Sequence, residues 1–470
     1  MSAEQPTINP NDKRPFFYSG FITLLLRESY LDGDMLDQVG DEGELADLVN
    51  YLSEEGFFMP VRLIQGVDPY RILDLEEAAK DSPYPPLRSL NQYWVLDARG
   101  RQEELEKIAI MLPDMFPIVA YAYPEQAAYE PLNNALNEPL FPEQTYLQAG
   151  PVGINALWVW ENLGFGEGVN LVDLEQNWDL NHVEFADKPP QLEPLSLLND
   201  ADPQHEKHGT AVLGILCAGI NNQGGVGIAP SLDYLWALSH YREVDDPRNP
   251  GGKIKKNGQV AAAIGALLDN GYISPGDVLL LEIERGAGVP TETELSDLDA
   301  IRLAVSNDII VVEAAGNAGY NLDTYQRFLA NERFLNPNFE TEFEDSGAIL
   351  VGASAPNLSP GGNLQHPRWA NSNYGSRLNC FAWGTGVATV GFDAAGQERF
   401  GETSGAAAII AGAALLLQSA HKTIVKAALK PDDMRAWLSD PATGTPQLPN
   451  AAEPIGVMPD LEVIITSRLP

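Results

Sequence analysis

Three short stretches hold residue types that move protons or attack carbonyl groups. In His208-Gly-Thr-Ala-Val-Leu-Gly214 a histidine leads into an apolar run that reads as a buried helix, so its ring rides on a rigid element. An imidazole held this way suits proton transfer near neutral pH. In Gly401-Glu-Thr-Ser404-Gly-Ala-Ala-Ala-Ile-Ile-Ala-Gly412 a serine precedes a helix made almost wholly of Ala, Gly, Ile and Leu. Unpaired backbone N–H groups and the positive end of the helix dipole lie beside such a serine, and they stabilise an oxyanion forming next to its Oγ. The same place is also the ordinary position of an N-cap serine. In Gly168-Val-Asn-Leu-Val-Asp173 an apolar strand delivers a carboxylate at its C-terminal edge, where parallel sheets put their active sites. An aspartate there also serves as a plain turn residue. Between the histidine and serine motifs, Asp308–Glu313 reads as a strand running into Ala314-Ala-Gly-Asn317, a tight turn that aims an amide N–H₂ outward.

The remaining histidines, His182, His205, His240, His366 and His421, have no comparable setting. His205-Glu-Lys-His208 brings its second histidine one residue too early for the zinc-protease signature. No Asp-rich loop has the spacing of a calcium site. Neither a metal nor a cofactor is expected. Cys217 and Cys380 sit in apolar runs and read as buried free thiols.

The elements that must position these groups form two patterns. From Gly153 onward, Val169–Val172, Leu232–Leu238, Asp277–Ile283, Asp308–Glu313 and Ile349–Val351 are short runs rich in Val, Ile and Leu. Helix-length segments Gly209–Ile220, Gln259–Asn270 and Glu294–Ser306 separate several of them. Apolar strands alternating with helices predict an α/β fold, a mainly parallel sheet with helices on both faces. Before residue 124 the chain is acidic and mixed. Asp41–Glu55 is helix-like, Tyr93–Leu96 and Ile118–Tyr123 read as strands, and Gln102–Leu112 as an amphipathic helix, which together suggest a small α+β module. The reading divides the chain into an N-terminal region to 124, a linker over 125–150, a catalytic domain over 151–440 and a loop-like tail over 441–470 containing the apolar Leu461–Ile465.

Composition sets outer limits. With 470 residues, 44% hydrophobic and 20% charged, the chain is globular rather than disordered. Sixty-six acidic residues against 29 basic ones give a net charge of −37, which repels nucleic acid and anionic lipid alike. No stretch approaches an uninterrupted membrane span, and Phe21–Leu26 begins too late and is too brief for a secretory signal. On that reading the expected location is cytoplasmic.

Asp173, His208-Gly-Thr, Ala315-Gly-Asn317 and Thr403-Ser404-Gly-Ala406, in that order, resemble the motifs of the subtilisin-like serine proteases (subtilases) over about residues 150–440. The α/β-hydrolase arrangement fits less well: it orders Ser before Asp before His, and wants Gly where this chain has Glu402. The resemblance implies a serine endopeptidase acting on polypeptides. Ser404 would be the nucleophile, His208 the general base and acid, Asp173 the carboxylate orienting His208, and Asn317 an oxyanion donor. It further implies that Ile118–Pro124 ends a propeptide-like module spanning about 60–124, an intramolecular chaperone or inhibitor. Pro139-Leu-Phe-Pro-Glu-Gln-Thr-Tyr-Leu147 and Gly153-Ile-Asn-Ala156 look like the start of a mature subtilase domain. Peptide-binding positions would fall at Glu282, Ile283, Glu284, Ala315 and Gly316.

Four departures from the family pattern bear on chemistry. The aspartate motif continues Leu174-Glu175 instead of Thr/Ser-Gly, and Ala408 replaces a proline. Glu402 replaces a glycine, and a carboxylate ~8 Å from a developing oxyanion costs roughly 2 kcal/mol at an effective dielectric near 20. Glu282 and Glu284 stand where small residues are usual and would favour basic side chains in the substrate, unless Arg285 neutralises them. The second reading is therefore a subtilase-shaped protein of little or no turnover that binds peptides or its own N-terminal module.

Overall fold

Strands buried on both faces need no polar alternation, and the apolar runs between residues 169 and 354 behave that way. The structure, a computed structural model, describes residues 18–27, 44–57, 60–63, 69–80, 88–98, 104–126, 135–199, 201–249, 251–286, 288–326, 333–358, 364–390, 399–447 and 452–469. The chain divides into two units, Met1–Tyr129 and Glu130–Pro470.

The N-terminal unit is an antiparallel sheet of β1 (Tyr18–Leu26), β2 (Val61–Arg62), β3 (Tyr93–Asp97) and β4 (Val119–Gln126), in the order β2-β3-β1-β4. Among the described residues three α-helices accompany it: α1 (Glu44–Glu54), α2 (Pro69–Ala79) and α3 (Leu105–Met115). Ile22, Leu24 and Leu26 of β1 meet Leu45, Leu48 and Leu52 of α1 and Leu105, Ile108 and Leu112 of α3 in one core. Period-2 and period-3.6 apolar faces thus close on each other. The sheet begins at Tyr18, well ahead of residue 60, because β1 is the strand that β3 and β4 both pair with. The expected helix over 41–55 has its described part in α1; residues 41–43 lie outside the described residues.

Among the described residues, the main sheet of the second unit has nine strands: β5 (Leu171–Glu175), β6 (Gln191–Leu192), β7 (Leu235–Ser239), β8 (Val278–Leu281), β9 (Ile310–Ala314), β10 (Ile349–Ser354), β11 (Cys380–Trp383), β12 (Gly444–Pro446) and β13 (Val457–Pro459). Their order is β12-β13-β11-β10-β9-β8-β5-β7-β6, and every pairing is parallel except β12 with β13. This is the α/β fold with a mainly parallel sheet. Helices α4 (Ala156–Asn162), α5 (Pro203–Cys217), α6 (Val260–Asp269), α7 (Leu295–Ser306), α8 (Glu402–Val425), α9 (Pro431–Leu438) and α10 (Leu461–Arg468) surround it. On one face, Val172, Leu174, Leu279, Leu281 and Val311 pack with Val260, Ile264 and Leu267 of α6 and Ile301 of α7. Strand alternation sends Asp173 and Glu175 to the opposite face, with α5 and α8. Glu282, one residue past the end of β8, shares that parity with Val278 and Leu280.

Two stretches expected to be linker and tail contribute to this unit. Gln144 accepts a hydrogen bond from Val226 N–H (2.9 Å) and donates one to Val226 O (2.8 Å), and the buried Tyr146 hydroxyl donates to Ala388 O (3.0 Å). Polar composition marked 125–150 as exposed, but these two side chains anchor its described part. After residue 440, β12 and β13 extend the sheet and α10 follows. Helix α8 is apolar and long enough by composition to cross a membrane, and its apolar window is wholly buried within the unit. Both cysteines are buried and free.

Candidate active site

Residues 401–405 set the nucleophile. Glu402, Thr403 and Ser404 open α8, and Gly405 is the first residue to donate a helical bond, to Gly401 O at 2.8 Å. The Ser404 N–H therefore lies among the donors a helix start leaves without an intrahelical acceptor. Helix α5 starts earlier than its apolar run suggests. Asp202 caps it by accepting from Gln204 N at 2.9 Å, and Pro203 takes the first position. His208 thus falls in the second turn, held by Gly209, where any Cβ would come within 2.3 Å of Asn177 O.

His208 Nε2 and Ser404 Oγ lie 3.0 Å apart. On the other side of the ring, Nδ1 is 2.8 Å from Glu175 Oε2. The expectation placed Asp173 at that nitrogen, and the structure corrects it. Asp173 Oδ2 instead accepts from the Trp178 indole N–H at 2.8 Å, and its Oδ1 is buried without a partner among the described residues. Asp173 and Glu175 share a strand face, but Glu175 sits one residue pair nearer the end of β5 and reaches further. Burial, then the Glu175 charge beside it, pushes the Asp173 carboxyl well above the usual carboxylate range. Burial also holds Glu175 above its usual range, a rise that the His208 ring beside it only partly offsets. For His208 burial works against the proton, yet Glu175, with Glu402 and Glu284 beyond it, holds its pKa above the ordinary histidine value. Phe400 meets the ring edge-on, centroids 5.2 Å apart.

Asn317 faces the same point. Thr403 donates to its Oδ1 twice, from N–H at 3.0 Å and from Oγ1 at 2.8 Å, which fixes the amide with its N–H₂ turned away from Thr403. The turn before it needs glycine: Gly316 has φ +92°, and a Cβ there would meet Gly288 O at 2.3 Å. The Asn317 amide is already engaged, donating to Glu402 Oε2 at 3.3 Å. Burial raises the Glu284 carboxyl, and the nearby Asn317 backbone N–H and side chain work the other way. Glu402 itself holds φ +62°, a left-handed conformation that suits the family's usual glycine far better than a glutamate.

The other expected peptide-binding positions are structurally engaged. Ile283 O accepts from Thr291 Oγ1 (2.8 Å) and Ala315 O from Asn373 Nδ2 (2.7 Å). Glu284 and Arg285 pair with Val289 and Pro290 in a short hairpin. Arg285 turns away from Glu282 and Glu284 to pair with Asp297. Glu282 is buried, with neither carboxyl oxygen in a hydrogen bond of ordinary geometry, although it faces the Ser404 hydroxyl. Among the described residues, no cluster of His, Cys, Asp and Glu could hold a metal ion.

A hydroxyl, an imidazole and a carboxylate in series, gathered by a mainly parallel sheet, define a serine hydrolase. Residues 173–456 match the profile of the subtilase family. The chain belongs to that family and is a subtilisin-like serine peptidase. It is similar to thermitase of Thermoactinomyces vulgaris, 26% identical over 255 residues that cover 54% of this chain and 81% of thermitase. Two solved structures are also similar. The prenylagaramide maturation protease PagA is 19% identical, covering 67% of this chain and 97% of that one, with a TM-score of 0.45. A protease of Pseudoalteromonas arctica is 21% identical, covering 70% and 98%, with a TM-score of 0.47.

Proposed function

We propose that the protein is an endopeptidase whose triad is Ser404, His208 and Glu175, with Asn317 and the Ser404 N–H as oxyanion donors. The observation that carries this is the bridging of Ser404 Oγ and Glu175 Oε2 by the two nitrogens of one imidazole, at 3.0 and 2.8 Å. Glu175 holds the tautomer with hydrogen on Nδ1, leaving Nε2 to take the serine proton as Oγ attacks the peptide carbonyl. His208 then gives that proton to the departing amine, and water repeats the sequence on the acyl-enzyme. The Asn317 amide and the Ser404 N–H stabilise the oxygen that gains charge. Substrate lies extended along residues 282–286, and the carboxylates of Glu284 and Glu402 favour a Lys or Arg side chain near the scissile bond. The N-terminal unit acts on this same chain as a folding aid or inhibitor.

Glu402 on the Asn317 amide favours the second reading, a peptide-binding subtilase of little turnover. A fluorophosphonate probe separates the two. Labelling of Ser404 that disappears in Ser404→Ala and falls sharply in His208→Ala supports the peptidase. Equal labelling of wild type and Ser404→Ala, or none with the N-terminal unit cleaved off, counts against it.

A further inference from the structure

Glu282 is a buried side chain beside the nucleophile that the triad does not use. Its backbone N–H donates to Leu174 O at 3.3 Å, which fixes it at the edge of β5, across from Glu175. Its residue is 9% exposed, both carboxyl oxygens lack a partner of ordinary geometry, and the Ser404 hydroxyl is the side-chain donor or acceptor it faces.

We propose that Glu282 is a catalytic residue that acts as an uncharged carboxylic acid, donating a hydrogen bond to Ser404 Oγ as that oxygen gains and loses charge. This deepens the triad reading and rests on it. Glu175 must be ionised to support His208, and a second anion beside it in a dry site is strongly disfavoured. The titratable groups facing Glu282 are Asp173 and Glu175 from β5 and Glu284 from its own segment; burial first, then these carboxyls, pushes the Glu282 carboxyl well above the usual carboxylate range, while the Ser404 hydrogen bond works the other way. An uncharged carboxyl has one O–H to give. Ser404 spends its own hydrogen on His208 Nε2, so the open lone pairs of Oγ are the acceptor. The bond strengthens when Oγ carries negative charge, above all when Oγ leaves the acyl-enzyme. The Glu282 proton stays on Glu282 throughout; the transferred proton remains that of His208.

The test is stopped-flow hydrolysis of p-nitrophenyl acetate with the full chain, wild type, E282A and E282Q, from neutral to alkaline pH. Glutamine keeps a donor and has no charge to acquire. In E282A the initial burst is expected to persist while steady-state turnover falls about 10- to 100-fold, because loss of one oxyanion-type donor slows the step in which Oγ departs. E282Q is expected to turn over within about threefold of wild type at neutral pH and to lose the alkaline decline that Glu282 ionisation causes in wild type. Burst and turnover falling together in E282A, or E282Q showing the wild-type alkaline limb, overturns the role of Glu282 alone. A wild type that neither bursts nor turns over overturns the triad reading and this proposal with it.

Discussion

Glu175→Gln is expected to lower kcat on a chromogenic peptide by about 10⁴-fold, the scale of a triad acid converted to its amide, while Asp173→Asn leaves kcat within a few-fold. The two carboxyls are two residues apart on one strand, and only Glu175 touches the imidazole. Glutamine in that place presents no charge to the imidazolium and sets the wrong tautomer. Asp173 has no comparable duty: its partner is the Trp178 indole N–H, which an asparagine oxygen accepts equally well. Circular dichroism of each variant separates lost chemistry from lost fold. The reverse ranking would return the role to Asp173. The same His208–Glu175 pair shapes the acid limb of the pH profile. Catalysis needs His208 neutral, so kcat/KM falls as pH drops through a pKa that lies above the ordinary histidine value.

Asn317→Ala and Glu402→Gly are expected to move activity in opposite directions. Removing the amide donor costs on the order of 10²–10³ in kcat. Replacing Glu402 frees that amide from a carboxylate and relieves a left-handed backbone that costs an L-residue about 1–2 kcal/mol. Either contribution alone corresponds to about a tenfold change if it is felt in the transition state, so kcat/KM of Glu402→Gly is expected to rise about tenfold. The acid limb should also shift to lower pH, because one of the anions raising His208 is gone. The double variant is the decisive measurement. With Asn317 absent, the gain from Glu402→Gly through the amide disappears, and the two effects are non-additive. Additive effects would show that Glu402 acts elsewhere.

Much of this arrangement is legible in the amino acids. Runs of Val, Ile and Leu separated by helix-length segments are enough to expect the parallel sheet, and His208, Ser404 and Asn317 announce themselves by the small residues around them. Glu175 is less legible because Asp173 already ends the apolar run with a carboxylate. The signal was present in the strand period, which turns residues 173 and 175 to one face, and in the unusual Leu174-Glu175 itself. Distance to His208 decides between them, and distance is a tertiary quantity. Phe21–Leu26 reads as an isolated apolar run because its partners lie some 70 and 100 residues downstream. Strands β12 and β13 are three residues long and each ends in proline, so they carry almost no local signal.

Helix α8 does two jobs. Its first turn presents Ser404, and Thr403 through His421 are buried without interruption as it crosses beneath β8, β9, β10 and β11. Many enzymes mount the attacking atom on a loosely held loop, which softens on warming before the body of the protein melts. Here the attacking atom belongs to the central pillar. Warming is therefore expected to displace the attacking atom only when the second unit as a whole gives way.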